Sequence, residues 1–236
     1  MNAFDHWALT LAVFIPAAGA LVLMLMPSRA ELAIKTVALV ASLAALGVGI
    51  YVAANFDYGR AGKLQYVVNR SWIDVINSNY HIGVDGISLP LLGLSLFIVP
   101  LCVIYSWDHF PEPHNPKAFL TLLLILEVGM SGTFVAEDLI LFFVFFELVL
   151  LPMYFMIGVW GGPNRQYASI KFFLFTLFGS ALMILSFLAL YFKAGNTFDI
   201  PTLIHTAANL PHGTQVLIFG GLFMGFAIKE IGRAHV

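Results

Sequence analysis

Residues 138–154 have the sequence DLILFFVFFELVLLPMY, an apolar stretch interrupted by one acid, Glu147, and one proline, Pro152. The apolar run continues to Trp160, and about 20 apolar residues are enough to cross a bilayer as a helix. The rest of the chain is similar, because 60% of its 236 residues are hydrophobic and only 10% are charged. Soluble domains carry about 25% charged residues. The sequence therefore predicts an all-α integral membrane protein, since barrel strands would be short and alternating.

Apolar runs of membrane-spanning length recur along the chain, and the length fits about seven transmembrane helices. The predicted spans lie near residues 7–26, 34–54, 86–105, 118–136, 139–160, 168–192 and 214–229. Residues 55–83 are polar and predict an extramembrane segment with a short hairpin. Residues 193–213, with two prolines, predict a loop. The two-residue turn Glu137–Asp138 requires the fourth and fifth spans to lie side by side and antiparallel.

The basic residues indicate an orientation. Arg29 and Lys35 lie between the first two spans, and Arg165 and Lys171 lie at the turn between the fifth and sixth. Cytoplasmic loops favour Lys and Arg. The N-terminus is therefore expected outside.

Glu147 is the first of four ionisable residues that fall inside apolar runs. It lies nine residues past Asp138, roughly 14 Å along a helix and near the middle of a hydrocarbon core about 30 Å thick. Pro152 lacks an N–H and its ring clashes with the carbonyl four residues back, so it predicts a helix break that frees the Leu148 carbonyl. Charge at this depth is costly and usually functional. The alternative is a packing glutamate that bonds to a neighbouring serine or to backbone.

The other three are Lys229, Lys171 and Glu127. Lys229 ends the last apolar run, where it is either a proton carrier at depth or a lysine that extends to the interface. Lys171 lies three residues into the sixth span and has the same two interpretations. Glu127 lies nine residues into the fourth span. It is either a protonated side chain bonded locally or, with Glu147, part of a relay or shared-proton site.

Composition and motifs exclude several functions. A net charge of −2 provides no basic face for nucleic acid. All seven histidines lie in loops or at chain ends, whereas membrane haem needs axial histidines inside helices. The sequence has no P-loop, no GxGxxG and no Cys/His spacing typical of a metal site, so no redox cofactor or metal is expected in this chain. Buried acids and bases without a cofactor favour ion or proton conduction.

Several segments resemble one family, the antiporter-like subunits of respiratory complex I, and within it the branch that corresponds to mitochondrial chain 4. The resemblance is carried in chain order by residues 80–88 (YHIGVDGIS), 138–154, 171–176 (KFFLFT) and 226–229 (FAIK). It implies that Glu147 and Lys229 are central to proton translocation in bacterial NADH–quinone oxidoreductase, with Lys171 carried over as well. It also implies multi-pass insertion in the bacterial inner membrane beside other membrane-arm subunits. NADH, FMN, iron–sulfur clusters and quinone would be bound by other subunits.

The resemblance implies fourteen helices, of which this chain would supply the N-terminal half. Residues 230–236 back-translate to GAG-ATC-GGA-AGA-GCA-CAC-GTC, which contains a common sequencing-adapter sequence. We therefore expect this tail to be non-native and assign its residues no function.

Three other functions are compared with the sequence by the residues that each would require. A subunit of a multisubunit Na⁺/H⁺ antiporter would carry the same glutamate and lysine and stays open. A light-driven retinal protein would need a carboxylate inside the third span, which has none between Gly86 and Tyr105. A purely structural membrane protein would not need four buried ionisable residues.

Overall fold

The computed structural model describes residues 3–231, which form a bundle of helices with one β-hairpin at one end. The helices are α1 (Ala3–Leu25), α2 (Glu31–Ala54), α3 (Ser88–Tyr105), α4 (Pro116–Val135), α5 (Leu139–Leu148), α6 (Leu150–Trp160), α7 (Arg165–Lys193), α8 (Ile200–Thr206) and α9 (His212–Ile231). The strands are β1 (Gln65–Ile73) and β2 (Ser78–Val84), which pair antiparallel. Residues 232–236, most of the tail expected to be non-native, lie outside the described residues.

Six stretches of the described chain are long and apolar enough to cross a membrane, which confirms the all-α membrane class. They are α1 from Phe4, α2, α3, α4, the continuous stretch Leu139–Trp160, and α7. The seventh predicted span is present as helix α9 but is not among the six. Its first turn carries His212, Thr214 and Gln215, and its last turn carries Lys229.

The stretch Leu139–Trp160 is interrupted at Val149, which separates α5 from α6. The interruption lies three residues before Pro152. Because proline offers no N–H, the Leu148 carbonyl loses its regular helical donor there. Helix α4 approaches this point closely: a side-chain methyl added at Gly129 would lie 3.1 Å from the Phe145 carbonyl oxygen and from the Val149 nitrogen. The interruption is therefore packed against α4 at a glycine, where the two backbones can approach closely.

One end of the bundle carries the hairpin, the α4–α5 turn and the connection from α7 to α9, and we call it the hairpin face. Asp138 joins these parts. Its fully buried carboxylate accepts the N–H groups of Ile140 and Leu141 at the start of α5, the Ser78 hydroxyl at 2.9 Å and the Asn79 N–H at 3.1 Å. It therefore caps α5 and ties that helix to the hairpin.

The segment 193–213, expected as a loop, is partly helical. Asp199 caps α8 by accepting the Thr202 N–H, and Pro201 occupies the first turn, where a missing N–H costs nothing. The Ile200 N–H donates to the Glu137 carbonyl at 2.9 Å. The short helix is thus held against the α4–α5 turn.

The opposite end carries the α6–α7 turn, residues 161–164, and we call it the turn face. There the Lys117 ammonium donates to the Met26 carbonyl at 2.7 Å, and the Lys35 ammonium donates to the Trp107 carbonyl at 2.8 Å. Lys35 also pairs with Glu31 at 2.7 Å. The basic side chains at this end therefore bind the carbonyls at helix ends, where the helix dipole favours cations.

Candidate functional site

Glu147 lies in the last turn of α5, next to the interruption at Val149. Its Oε1 atom is 2.5 Å from the Nζ atom of Lys229 on α9. The two side chains are mostly buried, with 21% and 13% of their surfaces exposed. Two residues 82 positions apart in the sequence therefore form an acid–base pair inside the bundle.

Two further side chains hold the pair in place. The Ser180 hydroxyl of α7 donates to the same Oε1 atom of Glu147 at 2.5 Å, and also approaches the Thr176 carbonyl at 3.0 Å. The Lys229 ammonium lies 3.6 Å from the centroid of the Phe146 ring. A cation over an aromatic face is stabilised by the ring quadrupole. Lys229 thus has an anion on one side and a π-face on another.

Small residues on α7 and α9 bring Lys229 to this depth. A methyl added at Gly225 would lie 2.9 Å from the Gly179 carbonyl oxygen, and one at Gly179 would lie 2.9 Å from the Ile228 side chain. Close backbone approach through small residues is typical of helix packing in membranes. It places Lys229, one turn past Gly225, beside Ser180, which follows Gly179.

A cavity of about 290 Å³ adjoins the pair, and we call it the inner cavity. It is lined by Met130, Thr133, Phe134, Phe146, Val149, Leu150, Phe172, Thr176 and Lys229. One water needs roughly 10–15 Å³ and two to four polar partners. The lysine and the two threonine hydroxyls supply such partners, so the inner cavity has room and partners for water beside the ammonium.

Glu127 makes no hydrogen bond to this pair, so the shared-proton site with Glu147, one of its open interpretations, does not form by direct contact. It is fully buried, and within residues 3–231 neither of its carboxylate oxygens has a hydrogen-bond partner. Gly129 contacts the interruption at Val149, and residues two apart on a helix point about 160° from each other. Glu127 therefore lies near the depth of the pair but on the far side of α4.

Lys171 does not join the pair either. Its side chain is exposed on a surface of α7 that also carries Tyr167, Leu174 and Phe178. Nine residues separate it from Ser180, about two and a half helical turns, so the two point to opposite sides of α7. Lys171 lies near the start of the sixth span, as the sequence predicts, but its side chain faces away from the bundle.

A serine bonded to Glu147 was an open alternative, but the sequence did not single out Ser180, and it gave no indication of the contact of Phe146 with Lys229. The available signal for Ser180 was its spacing of four from Thr176 within an apolar helix, which places two hydroxyls on one face. Phe146 lies in a run of four phenylalanines and one valine, and nothing local distinguishes it. Among residues 3–231 no cluster of three or more His, Cys, Asp or Glu side chains could hold a metal ion.

A second group of ionisable residues lies at the hairpin face. His81 Nδ1 is 2.6 Å from Asp199 Oδ1, and the Glu137 N–H donates to the His81 carbonyl at 2.8 Å. Burial, together with the nearby charges of Asp85 and Asp199, raises the pKa of Glu137 to about 7. Burial also acts to raise the pKa of Asp199, but hydrogen bonds from Thr202 and His81 leave it below its usual value. This face therefore carries a carboxyl that titrates near neutral pH.

Comparison with known proteins gives two adjoining family matches. Residues 63–133 match the family described as NADH-ubiquinone oxidoreductase chain 4, amino terminus, and residues 136–231 match NADH:quinone oxidoreductase/Mrp antiporter, TM. Subunit M of the NADH-quinone oxidoreductase of Rhodobacter capsulatus is 39% identical over 236 residues, and that of Rickettsia felis is 35% identical over 226. Each alignment covers 94% of this chain and 45% of the relative.

Solved structures show the same fold. Respiratory complex I from Thermus thermophilus with bound NADH contains a chain that matches with a TM-score of 0.79 at 24% identity, covering 93% of this chain and 43% of that one. The Mrp complex from Dietzia sp. matches with a TM-score of 0.78 at 16% identity, covering 96% and 24%.

The fold and the Glu147–Lys229 pair define a polytopic membrane protein with an acid–base pair inside an antiporter-like helix bundle. The chain belongs to the NADH:quinone oxidoreductase/Mrp antiporter family of membrane subunits, on the branch of the M subunits. It spans about 45% of the length of the curated relatives it matches.

Proposed function

We propose that this chain is part of a proton-translocating membrane-arm subunit of NADH-quinone oxidoreductase, and that Glu147 and Lys229 carry the proton. The observation that carries the proposal is their contact at 2.5 Å inside the bundle. An ion pair buried among membrane helices is costly to form and is a functional-site hypothesis by default. The likeness to M subunits supplies the reaction, in which NADH oxidation by quinone drives H⁺ transport.

The proposed mechanism depends on the distance between the two groups. While Glu147 is close, its negative charge stabilises the proton on Lys229, because opposite charges attract strongly where the dielectric is low. When the pair separates, that stabilisation is lost and the proton leaves the lysine. Ser180 and Phe146 fix the closed geometry. The interruption at Val149 and Pro152 gives α5 and α6 a point at which they can move independently.

Glu127 and Lys171 are proposed as further proton-transfer groups that exchange with the pair through water. The support for Glu127 is its complete burial without a hydrogen-bond partner among residues 3–231. The support for Lys171 is its place on an apolar membrane-spanning surface, where a charge facing lipid would be costly. We infer that this surface meets protein or water in the assembled complex.

The other members of the complex follow from the same proposal. NADH, FMN, the iron–sulfur clusters and quinone belong to other subunits, and the neighbours of this chain are antiporter-like membrane-arm subunits.

We place the chain in the bacterial inner membrane with its N-terminus and the hairpin face outside. The support is the basic group Arg29, Lys35, Lys117 and Arg165 at the turn face. Because the hairpin segment also carries basic residues, single cysteines at Asn164 and at Tyr58 test the orientation directly with an impermeant thiol reagent.

A second candidate is a subunit of a multisubunit Na⁺/H⁺ antiporter. It is favoured by the family description, which includes Mrp antiporters, and by the fold match to the Mrp complex. The two candidates differ in their driving reaction. NADH-dependent H⁺ pumping that needs no Na⁺ supports the first, and Na⁺-dependent H⁺ exchange without electron transfer supports the second.

The test is Lys229→Ala in the full-length protein within its membrane complex, with Lys193→Ala as the control. Lys193 is an exposed lysine at the end of α7. We expect Lys229→Ala to leave the complex assembled while abolishing or sharply reducing NADH-driven acidification of vesicles, and Lys193→Ala to pump normally. Two results together would contradict the proposal: normal pumping by Lys229→Ala, and modification of Lys229 in the unaltered protein by water-soluble amine reagents. Lys229 would then be a lysine that extends to the interface and carries no proton.

A further inference from the structure

Glu127 is buried completely on the side of α4 that faces away from the Glu147–Lys229 pair. Within residues 3–231 both of its carboxylate oxygens lie without a hydrogen-bond partner. A polar group buried in this way is costly, and buried polar groups are usually satisfied by protein or by ordered water. The groups that lie opposite Glu127 on the neighbouring helix α1 therefore decide what its carboxyl group binds.

Two observed contacts fix how α1 and α4 lie beside each other. The Lys117 ammonium, at the start of α4, donates to the Met26 carbonyl just past the end of α1 at 2.7 Å. Seven residues further along α4, the Leu124 side chain lies 3.2 Å from the position of a methyl group added at Gly19, which is seven residues back along the chain from Met26. The two helices are therefore antiparallel and in step, because each advances 1.5 Å per residue.

The same step carries the register to Glu127. Glu127 is three residues beyond Leu124 on α4, and Pro16 is three residues before Gly19 on α1, so the two lie at the same depth. Pro16 is buried inside α1. Because proline has no N–H, the Ala12 carbonyl, four residues back, loses its regular helical donor. A carbonyl without its helical donor thus lies near the depth of the Glu127 carboxyl group.

The two groups also lie on facing sides of their helices. Residues seven apart on a helix lie within about 20° of each other around its axis, and residues three apart within about 60°. Ala12 therefore lies on the side of α1 that carries Gly19. Ser131 lies on the side of α4 that carries Leu124, with Glu127 beside it. Ala12 and Ser131 are fully buried and small, so neither side chain fills the space next to the carboxyl group.

Ser131 adds a third polar group at this depth. Its hydroxyl donates to the backbone carbonyl of Glu127 at 2.7 Å, one turn back on α4, and its oxygen keeps lone pairs that can accept a hydrogen bond. The apolar packing is divided here as well, because Ala12 belongs to the core cluster toward the hairpin face and Leu124 to the cluster toward the turn face. A buried water typically makes about three hydrogen bonds to groups of this kind.

We propose that α1 and α4 bind an ordered water molecule between the Glu127 carboxyl group, the Ser131 hydroxyl and the Ala12 carbonyl. The carboxyl group carries its proton and donates a hydrogen bond to the water, because a neutral acid is buried at far lower cost than a carboxylate with no cation beside it. The water donates to the Ala12 carbonyl and to the Ser131 oxygen, which completes three hydrogen bonds. This inference rests on the proposed function only for its purpose, which is to give the Glu127 proton a partner for exchange.

The test is an electron cryo-microscopy map of the full-length protein within its membrane complex, at a resolution that shows ordered water. We expect a density peak within about 3 Å of the Glu127 carboxyl group, the Ser131 hydroxyl and the Ala12 carbonyl, which is hydrogen-bond distance. Glu127→Gln keeps a donor and an acceptor at this position and should retain the peak. Glu127→Leu removes both and should lose it.

Thr121→Val is the matched control. Thr121 is another buried residue of α4 whose side-chain oxygen lies without a hydrogen-bond partner within residues 3–231, and its replacement should leave the peak in place. The proposal would be overturned by the absence of a peak in the unaltered complex, by a direct hydrogen bond from Glu127 to the Ala12 carbonyl, or by a peak that persists in Glu127→Leu. Loss of the peak in Thr121→Val would count against it too. If Glu127→Leu fails to assemble, the maps of the unaltered complex and of Glu127→Gln decide.

The map needs neither NADH nor pumping, so it tests the water site separately from the proposed function. NADH-driven acidification of vesicles by Glu127→Gln tests the role of the proton. Reduced acidification with the peak retained supports both the site and the role. Normal acidification with the peak retained would overturn the proton-transfer role of Glu127 and leave the water site standing.

Discussion

Glu147→Gln should destabilise the protein by leaving the Lys229 ammonium without its counter-charge. Breaking a buried ion pair by removing one partner costs about 3–5 kcal/mol. Because the side chains are 21% and 13% exposed, we expect a loss near the lower end, about 3 kcal/mol. The Phe146 ring still contacts the cation and limits the loss. Lys229→Met should cost a similar amount, because it leaves the carboxylate unpaired.

The double variant Glu147→Gln/Lys229→Met distinguishes an ion pair from two independent residues. Replacing both charges leaves neither unpaired, and apolar replacements of buried pairs are often neutral. We therefore expect the double variant to be more stable than the sum of the single losses predicts, with a coupling energy of about 2–3 kcal/mol.

The assay is the free energy of unfolding of the purified protein in mixed detergent, measured by titration with a denaturing detergent. Lys193→Met is the control and should change stability by less than about 0.5 kcal/mol, as surface substitutions do. Additive losses, with a coupling below about 0.5 kcal/mol, would refute the pair as an energetic unit.

Three further predictions concern the surroundings of the pair and the hairpin face. Ser180→Ala should cost about 1.5–3 kcal/mol in the same assay, the usual worth of a hydrogen bond to a charged group, and no loss would contradict the bond to Glu147. Asp138→Ala should lower the free energy of unfolding by more than the roughly 1 kcal/mol that a helix cap contributes, because it also releases the hairpin. A thermal midpoint no lower than that of the control variant Asp74→Ala would contradict this. Glu137→Gln should be increasingly more stable than the unaltered protein as pH rises from the ordinary carboxyl value of 4.5 to about 7. The folded state holds the Glu137 proton more tightly than the unfolded state, so ionisation costs stability over that window. If the difference between the thermal midpoints of Glu137→Gln and the unaltered protein does not change with pH, the pKa of Glu137 is not raised in the folded state.

The membrane class and the helix positions could be predicted because they depend on composition and run length, which are local properties. The residues of the pair could also be singled out, since a charge in an apolar run is conspicuous wherever it points. The side on which each residue lies could not be predicted. Glu127 and Glu147 have the same local signature, and only the packing of Gly129 against Val149 shows that Glu127 lies on the far side of α4.

The two ends of the bundle illustrate the same limit. The prolines in residues 193–213 predicted a loop, but Asp199 and Pro201 instead form the start of α8, where proline is tolerated at the first turn. The pairing of His81 with Asp199 joins residues 118 positions apart, and no local pattern indicates it. Contacts of this range depend on the whole bundle and become visible only in the folded chain.

The ratio of protons translocated to electrons transferred tests the central claim most directly. It should be measured in vesicles that contain the full-length Glu147→Gln protein within its complex, beside the unaltered complex. If Glu147 and Lys229 carry the proton, the ratio falls while the complex remains assembled. An unchanged ratio in a complex that contains the variant subunit would contradict the role of the pair.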